Sequence, residues 1–270
     1  MNRINWKLFF CFILTVTIAR DIQSQDTLLV FPSAKEVDVN ISNEIQKADK
    51  TLIYSYSVES TASSKQDIDA FYLEIPIESL KNISAPTMWR GSKSVARKEI
   101  ILWGSRKSQF DIPPLSNLDG FNFQSSLYPS VVTYYVSGRI EIPKVPEGEA
   151  PPLEFIKGAD IFENSVQGKT IGPSDLPDPF IAENFLDTLI SYKNQSCELG
   201  WIENPGTCRS LEAKLDNIKR QLEQGRNQTA ANNLQAFLNE VEAIREQQLS
   251  PEAYALLKFN GEYLLEKLRE

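Results

Sequence analysis

The last third of the chain carries apolar residues at helical spacing. In SLEAKLDNIKRQLEQG, residues 210–225, apolar side chains recur four, three and four positions apart. This period places them on one face of an α-helix. Ser210 is a candidate N-cap, and Gly225 is a candidate stop signal for the helix. The apolar stripe consists of Leu211, Leu215, Ile218 and Leu222.

Three further segments repeat this period. They are PFIAENFLDTLISYK (179–193), NQTAANNLQAFLNEVEAIREQQ (227–248) and SPEAYALLKFNGEYLLEKL (250–268). The last begins with Ser250 as a cap and Pro251 at the first helical position, a common helix start. Four amphipathic helices joined by short turns predict a small bundle with the stripes as its core. A groove that binds a partner is the alternative for these stripes.

The preceding residues follow a different pattern, typical of β-strands. LIYSYSV (52–58) and YYVSGRIEI (134–142) alternate apolar and polar residues, as half-buried strands of an antiparallel sheet do. DTLLVFP (26–32), AFYLEIPI (70–77) and KEIILWG (98–104) are further β-branched or aromatic runs. No long helical period intervenes, so an antiparallel β-sandwich is favoured over alternating strands and helices.

The two patterns together predict an α+β multidomain protein. An N-terminal antiparallel β-sandwich, residues 25–176, is followed by a small C-terminal four-helix bundle, residues 177–270. The boundary is expected in IGPSDLPDP (171–179), where Gly172, Pro173, Pro177 and Pro179 should interrupt regular structure.

The N-terminus has the features of a secretory signal. MNRINWKLFFCFILTVTIA combines basic residues, an apolar run and the small residues Thr17 and Ala19. The sequence predicts a signal peptide over residues 1–24, cleaved after Ala19 or Ser24. A retained membrane anchor is the alternative, but the apolar run is shorter than the ~20 residues that a spanning helix needs. We therefore expect a protein that is secreted, periplasmic or on the cell surface, with no spanning segment after cleavage.

Two cysteines of the mature chain lie in CELGWIENPGTC, residues 197–208. Thiols in an oxidising compartment commonly pair. A zinc site would need further Cys or His ligands, and a redox motif would need closer spacing. The Asn-Pro-Gly turn between the cysteines can reverse the chain. We therefore predict a disulfide between Cys197 and Cys208.

The helical segments also resemble a known family. SLEAKLDNIKRQLEQGRNQTAANNLQAFLNEVEA resembles the C-terminal FIMAH module of exported bacterial proteins, with a Leu-rich first helix, a following Gly and an Ala-rich entry to the second helix. The flanking ELGWIENPGTCRSL and AYALLKFNGEYLLEKL resemble the segments around this module. The resemblance implies an exported bacterial protein with a FIMAH-like helical domain over residues 177–270 and no catalytic residues to carry over.

Composition and charge restrict the chemistry. The chain has 28 basic and 36 acidic residues, formal net charge −8, and no basic run that would bind nucleic acid. It has no histidine, which excludes catalytic triads with a histidine base and metal sites with histidine ligands. We expect no catalytic residues, no metal site and no cofactor. The alternative is a carboxylate-dependent glycan hydrolase that uses two of Glu74, Glu78, Glu99 and Glu141.

Two tryptophans are the candidate ligand contacts. Trp89 and Trp103 lie near Gly, Ser and basic residues, where exposed rings could stack on a sugar; burial in the sandwich core is the alternative. The sequence therefore predicts an exported non-enzymatic protein of extracellular or cell-surface interaction. Its partner is expected to be an unidentified extracellular protein or glycan, and no nucleic acid.

Overall fold

The chain is described here by a computed structural model. The predicted signal peptide, residues 1–24, lies outside the described residues. The structure describes residues 31–95, 98–142, 144–145, 148 and 150–270.

In this described part of the chain, nine strands form two antiparallel sheets. In chain order they are β1 (Val39–Ala48), β2 (Thr51–Ser60), β3 (Ile68–Glu74), β4 (Lys81–Ser84), β5 (Trp89–Ser94), β6 (Ile100–Ser105), β7 (Ser116–Ser125), β8 (Tyr128–Gly138) and β9 (Val166–Ser174). One sheet has the order β1-β2-β7-β4, and the other has the order β5-β6-β3-β8-β9. The predicted β-sandwich is confirmed.

Four of the five predicted strand segments correspond to β2, β3, β6 and β8. Most of the fifth, DTLLVFP, lies outside the described residues. The expected break is wrong at Gly172 and Pro173, because both residues belong to β9. Pro177 and Pro179 lie between β9 and α2, as expected. β9 is the last strand of its sheet, where a proline costs no ladder hydrogen bond on the open side.

The inner faces of the two sheets meet in an aromatic core. Along β2 the buried residues alternate with partly exposed ones, because successive strand side chains point to opposite faces. Tyr54 stacks on Phe123 with ring centroids 5.2 Å apart. The Tyr56 hydroxyl donates a hydrogen bond of 2.9 Å to the Ile171 carbonyl, so a polar atom in the core is satisfied.

A short helix, α1 (Leu153–Gly158), lies in the connection between β8 and β9. Four long helices follow β9. They are α2 (Ala182–Glu198), α3 (Pro205–Glu223), α4 (Asn227–Gln248) and α5 (Pro251–Arg269). The predicted helical region is confirmed. The apolar stripes of the four helices form one buried cluster.

Local sequence signals set two of the helix starts. Ser250 caps α5 by accepting a hydrogen bond from the Ala253 N–H, as predicted. The prediction for α3 is wrong, because this helix begins at Pro205, and the Asn204 side chain accepts from the Gly206 N–H. An Asn cap followed by proline at the first position is a complete start signal, so Ser210 falls inside the helix.

The last helix belongs to two cores. Leu257 and Leu264 of α5 are buried in the helical cluster. Ala255, Leu256 and Phe259 are buried in the cluster of the sandwich. α5 lies against β1 and β9, the edge strands of the two sheets, and against β8. The helix therefore covers one open side of the sandwich.

Polar contacts reinforce this junction. The Asn260 side chain donates a hydrogen bond of 2.9 Å to the Pro129 carbonyl at the start of β8. The Asn43 side chain on β1 donates to Glu252 at 2.9 Å and to Thr170 at 3.1 Å. Burial is the main cause that raises the pKa of Glu252. Sandwich and bundle are thus joined by apolar packing and by buried hydrogen bonds.

Candidate functional site

Trp89 and Trp103, the predicted ligand contacts, lie in the sandwich core. They are 5% and 0% exposed. The Trp103 ring stacks on Phe71 at 5.3 Å and donates its indole hydrogen bond to the Ser84 carbonyl. Trp89 donates to the Phe110 carbonyl at 2.8 Å. The structure thus places both rings as the core alternative expects, and neither presents a free face to a ligand.

The four glutamates of the hydrolase alternative differ in their hydrogen-bond partners and in their exposure. Glu74 accepts hydrogen bonds from Lys98 at 2.8 Å and from the Tyr135 hydroxyl at 3.0 Å. Lys98 also donates to the Tyr135 hydroxyl at 3.0 Å, and its hydrogen bonds to Glu74 and Tyr135 raise the pKa of Lys98 to about 12. Glu99 accepts from the Ile77 N–H at 3.1 Å. Glu78 and Glu141 are exposed.

Two carboxylates that share one cleft are the requirement for glycoside hydrolysis. None of the four glutamates lines the cleft that the described residues form between the β1–β2 hairpin and α5. No group of three or more His, Cys, Asp or Glu residues in the described ranges is placed to hold a metal ion.

Cys197 and Cys208 form the predicted disulfide. The sulfur atoms are 2.02 Å apart, and the Cα atoms are 6.3 Å apart. The bond joins the end of α2 to the first turn of α3, so it closes the loop that contains Trp201. The Trp201 side chain packs against both cores, and its carbonyl accepts a hydrogen bond from the Ser250 N–H. The disulfide therefore holds a loop that contacts the junction.

A cleft lies between the β1–β2 hairpin and α5. Its volume is about 390 Å³. The buried residues Leu52 and Phe259 and the partly buried Tyr128 and Tyr263 contribute its apolar surface. The rings of the two tyrosines contact each other, with centroids 4.8 Å apart. Sequence analysis did not find this cleft, because its walls come from opposite ends of the chain.

Charged side chains of opposite sign line the two walls of this cleft. The end of β1 contributes Lys47, and the turn of the hairpin contributes Asp49 and Lys50. The α5 wall contributes Glu262 and Glu266. Among the described residues, no ion pair within 4.0 Å connects these lysines to these glutamates across the cleft.

The phenol of Tyr128 lies in the field of the α5 wall. Burial raises its pKa most, and the charges of Glu266 and Glu262 raise it further, whereas Lys267 lowers it. A negative charge disfavours ionisation of a nearby phenol, so this direction follows from the position of the two glutamates.

Comparison with known proteins identifies the helical region. Residues 186–266 match the FIMAH domain family, so the resemblance noted in the sequence is confirmed for α2 to α5. The match does not extend to the sandwich. No curated protein sequence matches the chain. In the described part of the chain, no helix has the length and apolar character needed to cross a membrane.

Two solved structures are similar to about half of the chain. One is an uncharacterized protein from Nocardia farcinica with an immunoglobulin-like fold; it is 11% identical, with a TM-score of 0.27, and the match covers 49% of this chain and 95% of that one. The other is a cohesin module from a Clostridium perfringens ATCC13124 family 33 glycoside hydrolase; it is 17% identical, with a TM-score of 0.27, and the match covers 51% and 96%. TM-scores this low do not support a fold assignment. The assignment of the sandwich therefore rests on the observed pairing of the strands.

Proposed function

We propose that this protein is an exported, non-enzymatic binding protein that acts outside the cell or on its surface. A sandwich domain, residues 25–176, and a FIMAH-like domain, residues 177–270, form one recognition unit with a cleft at their junction. The observation that carries the proposal is the position of α5, which is buried in both cores and forms one wall of the cleft.

The shared helix gives this cleft defined walls. A binding site needs side chains that are held in place before the ligand arrives, because ordering them on binding costs free energy. Leu256 and Phe259 fix α5 against the sandwich, and Asn260 fixes its position along β8. Clefts between domains are also a common place for ligand sites. The partner that we propose is an extracellular protein or a glycan, bound without chemical conversion.

A binding screen tests this proposal. The mature chain would be screened against glycans and against extracellular proteins, and saturable binding of at least one ligand is expected. Ser126 is exposed and lines the cleft, so Ser126→Trp should block it. Ser42→Trp is the matched control, because Ser42 is an exposed residue of β1 that does not line the cleft. A screen without any saturable ligand, or equal binding by both variants, would contradict the proposed function of the cleft.

Export has a separate test. N-terminal sequencing of the protein from the medium or the cell envelope should find a chain that begins at residue 20 or 25, after Ala19 or Ser24. Recovery of soluble cytoplasmic protein that still begins with Met1 would contradict export.

A further inference from the structure

The cleft between the hairpin and α5 has a charge pattern that selects among small ligands. A simple cation would be attracted by Glu262 and Glu266 but repelled by Lys47 and Lys50. A simple anion would experience the opposite. A neutral polyol can hydrogen-bond to either wall, but it carries no charges for the two walls to select. A ligand with one positive and one negative group satisfies both walls, because each group then lies beside charges of the opposite sign.

The charges that matter most are available for such a ligand. Lys47, Lys50 and Glu266 make no side-chain hydrogen bond or ion pair with other described residues. Glu262 is partly engaged, since Lys258 lies 3.4 Å away, but Lys258 is closer to Glu242 at 2.9 Å.

Two further charges adjoin this pattern without reversing it. Asp49 reduces the positive charge of the hairpin wall, but this wall still has two lysines and only one carboxylate. Lys267 lies 5.9 Å from the Tyr263 ring and is paired with Glu270 at 2.8 Å. The hairpin wall is therefore net positive, and the α5 wall is net negative.

The apolar surface sets the rest of the ligand. Leu52 and Phe259 are buried beneath the cleft, and Tyr128 and Tyr263 are partly exposed beside it. Small-ligand sites combine such an apolar surface with a few polar groups that fix the ligand's orientation. We propose that this cleft binds a small zwitterionic molecule with an apolar portion, its ammonium group toward Glu262 and Glu266 and its carboxylate toward Lys47 and Lys50. This inference rests on the proposed function of the cleft and adds a small ligand to the protein or glycan partner proposed there.

Free dipeptides are suitable probes because either charge can be removed by chemistry. The intact mature chain would be titrated with glycyl-leucine, N-acetyl-glycyl-leucine, glycyl-leucine amide and methyl glucoside, and backbone amide NMR shifts would be followed. We expect glycyl-leucine to shift signals of Tyr128, Phe259 and Tyr263. Blocking either end of the peptide should weaken binding roughly tenfold, since each block removes one charge-assisted interaction.

Charge-neutral variants assign each wall. In Lys47→Gln/Lys50→Gln, amidation of the peptide should no longer weaken binding, whereas acetylation still should. In Glu262→Gln/Glu266→Gln, the preference should be the reverse. Lys65→Gln/Lys107→Gln is the matched control, because both lysines are exposed and neither lines the cleft.

Each alternative outcome overturns a defined part of the idea. Equal binding of methyl glucoside and glycyl-leucine, with no effect of either block, rejects a zwitterionic ligand. Equal losses in the control pair and in Lys47→Gln/Lys50→Gln reject this site. If none of the four probes shifts the NMR signals of cleft residues, the inference is also rejected. If a ligand from the screen then still binds and is blocked by Ser126→Trp, the proposed function stands without it.

Discussion

Adjacent leucines of α5 allow a direct test of the shared core. Leu256 and Leu257 are both 0% exposed, but Leu256 packs in the sandwich cluster and Leu257 in the helical cluster. Truncating a fully buried leucine to alanine removes its transfer free energy and leaves a cavity, which costs about 2–5 kcal/mol. We therefore expect Leu256→Ala and Leu257→Ala to lower the free energy of unfolding by about 3 kcal/mol each.

Two probes follow the two parts of the protein. Far-ultraviolet circular dichroism is dominated by the four helices. Tryptophan fluorescence reports mainly on the sandwich, where Trp89 and Trp103 are buried, with a further contribution from Trp201 at the junction. Because α5 is part of both cores, urea unfolding of the wild type should give coincident transitions. Each variant should shift both transitions together.

Leu199→Ala is the control for this experiment, because Leu199 follows α2 and is 41% exposed. Its effect should stay within about 0.5 kcal/mol. The reasoning is refuted if Leu256→Ala shifts only the fluorescence transition and leaves the dichroism transition in place. That result would mean that the bundle is stable without its contact to the sandwich.

Three further predictions concern single features of the fold. Cys197→Ser/Cys208→Ser should lower the free energy of unfolding by roughly 2–3 kcal/mol, because the bond restricts the unfolded chain over a separation of 11 residues; equal denaturation midpoints under oxidising conditions would remove this role. Burial raises the pKa of Glu252 from its ordinary 4.5, so the stability of the wild type relative to Glu252→Gln should be highest below that value and should fall as pH rises through the folded-state pKa; denaturant titrations that give a constant difference between about pH 4 and pH 8 would contradict this. Gly91→Ala should cost about 1–3 kcal/mol in thermal or urea unfolding, because its Cβ would lie 2.5 Å from the Ile83 Cγ2 atom, whereas Gly104→Ala, with its nearest neighbour at 3.9 Å, should cost less.

Local patterns in the sequence determined the elements whose signals are themselves local. The helical period over 210–225 reappears as the buried stripe of α3, and Ser250 caps α5 as predicted. The disulfide between Cys197 and Cys208 also followed from nearby residues. The expected Asn-Pro-Gly turn between them is wrong, because Asn204 caps α3 and Pro205 and Gly206 begin it, while the turn lies at Leu199 and Gly200. Strands such as β2 were found because one face is buried and the other is not, which produces strict alternation.

Strands with weak patterns were missed for the same reason. β1 places Val39, Ile41 and Ile45 at alternate positions against the sandwich core, but the polar Asn43 interrupts this series and is the one fully buried residue of the strand, so the pattern is weaker than that of β2. β1 is the outer strand of its sheet, and its hydrogen bonds to β2 form it in spite of its polar composition. The segment VNISNEIQKA by itself does not predict that β2 lies beside it.

Tertiary structure alone decided the burial of the tryptophans and the position of the cleft. A tryptophan beside Gly and Ser residues can lie in a loop or in a core, and only the pairing of β5 with β6 and the facing sheet places Trp103 inside. α5 has apolar residues on more than one face, but the identity of the second core depends on contacts with β1, β8 and β9. Lys47 and Glu262 line one cleft although most of the chain separates them in sequence. Periodicity reports which side of an element is apolar, whereas the long-range packing of whole elements decides what that side contacts.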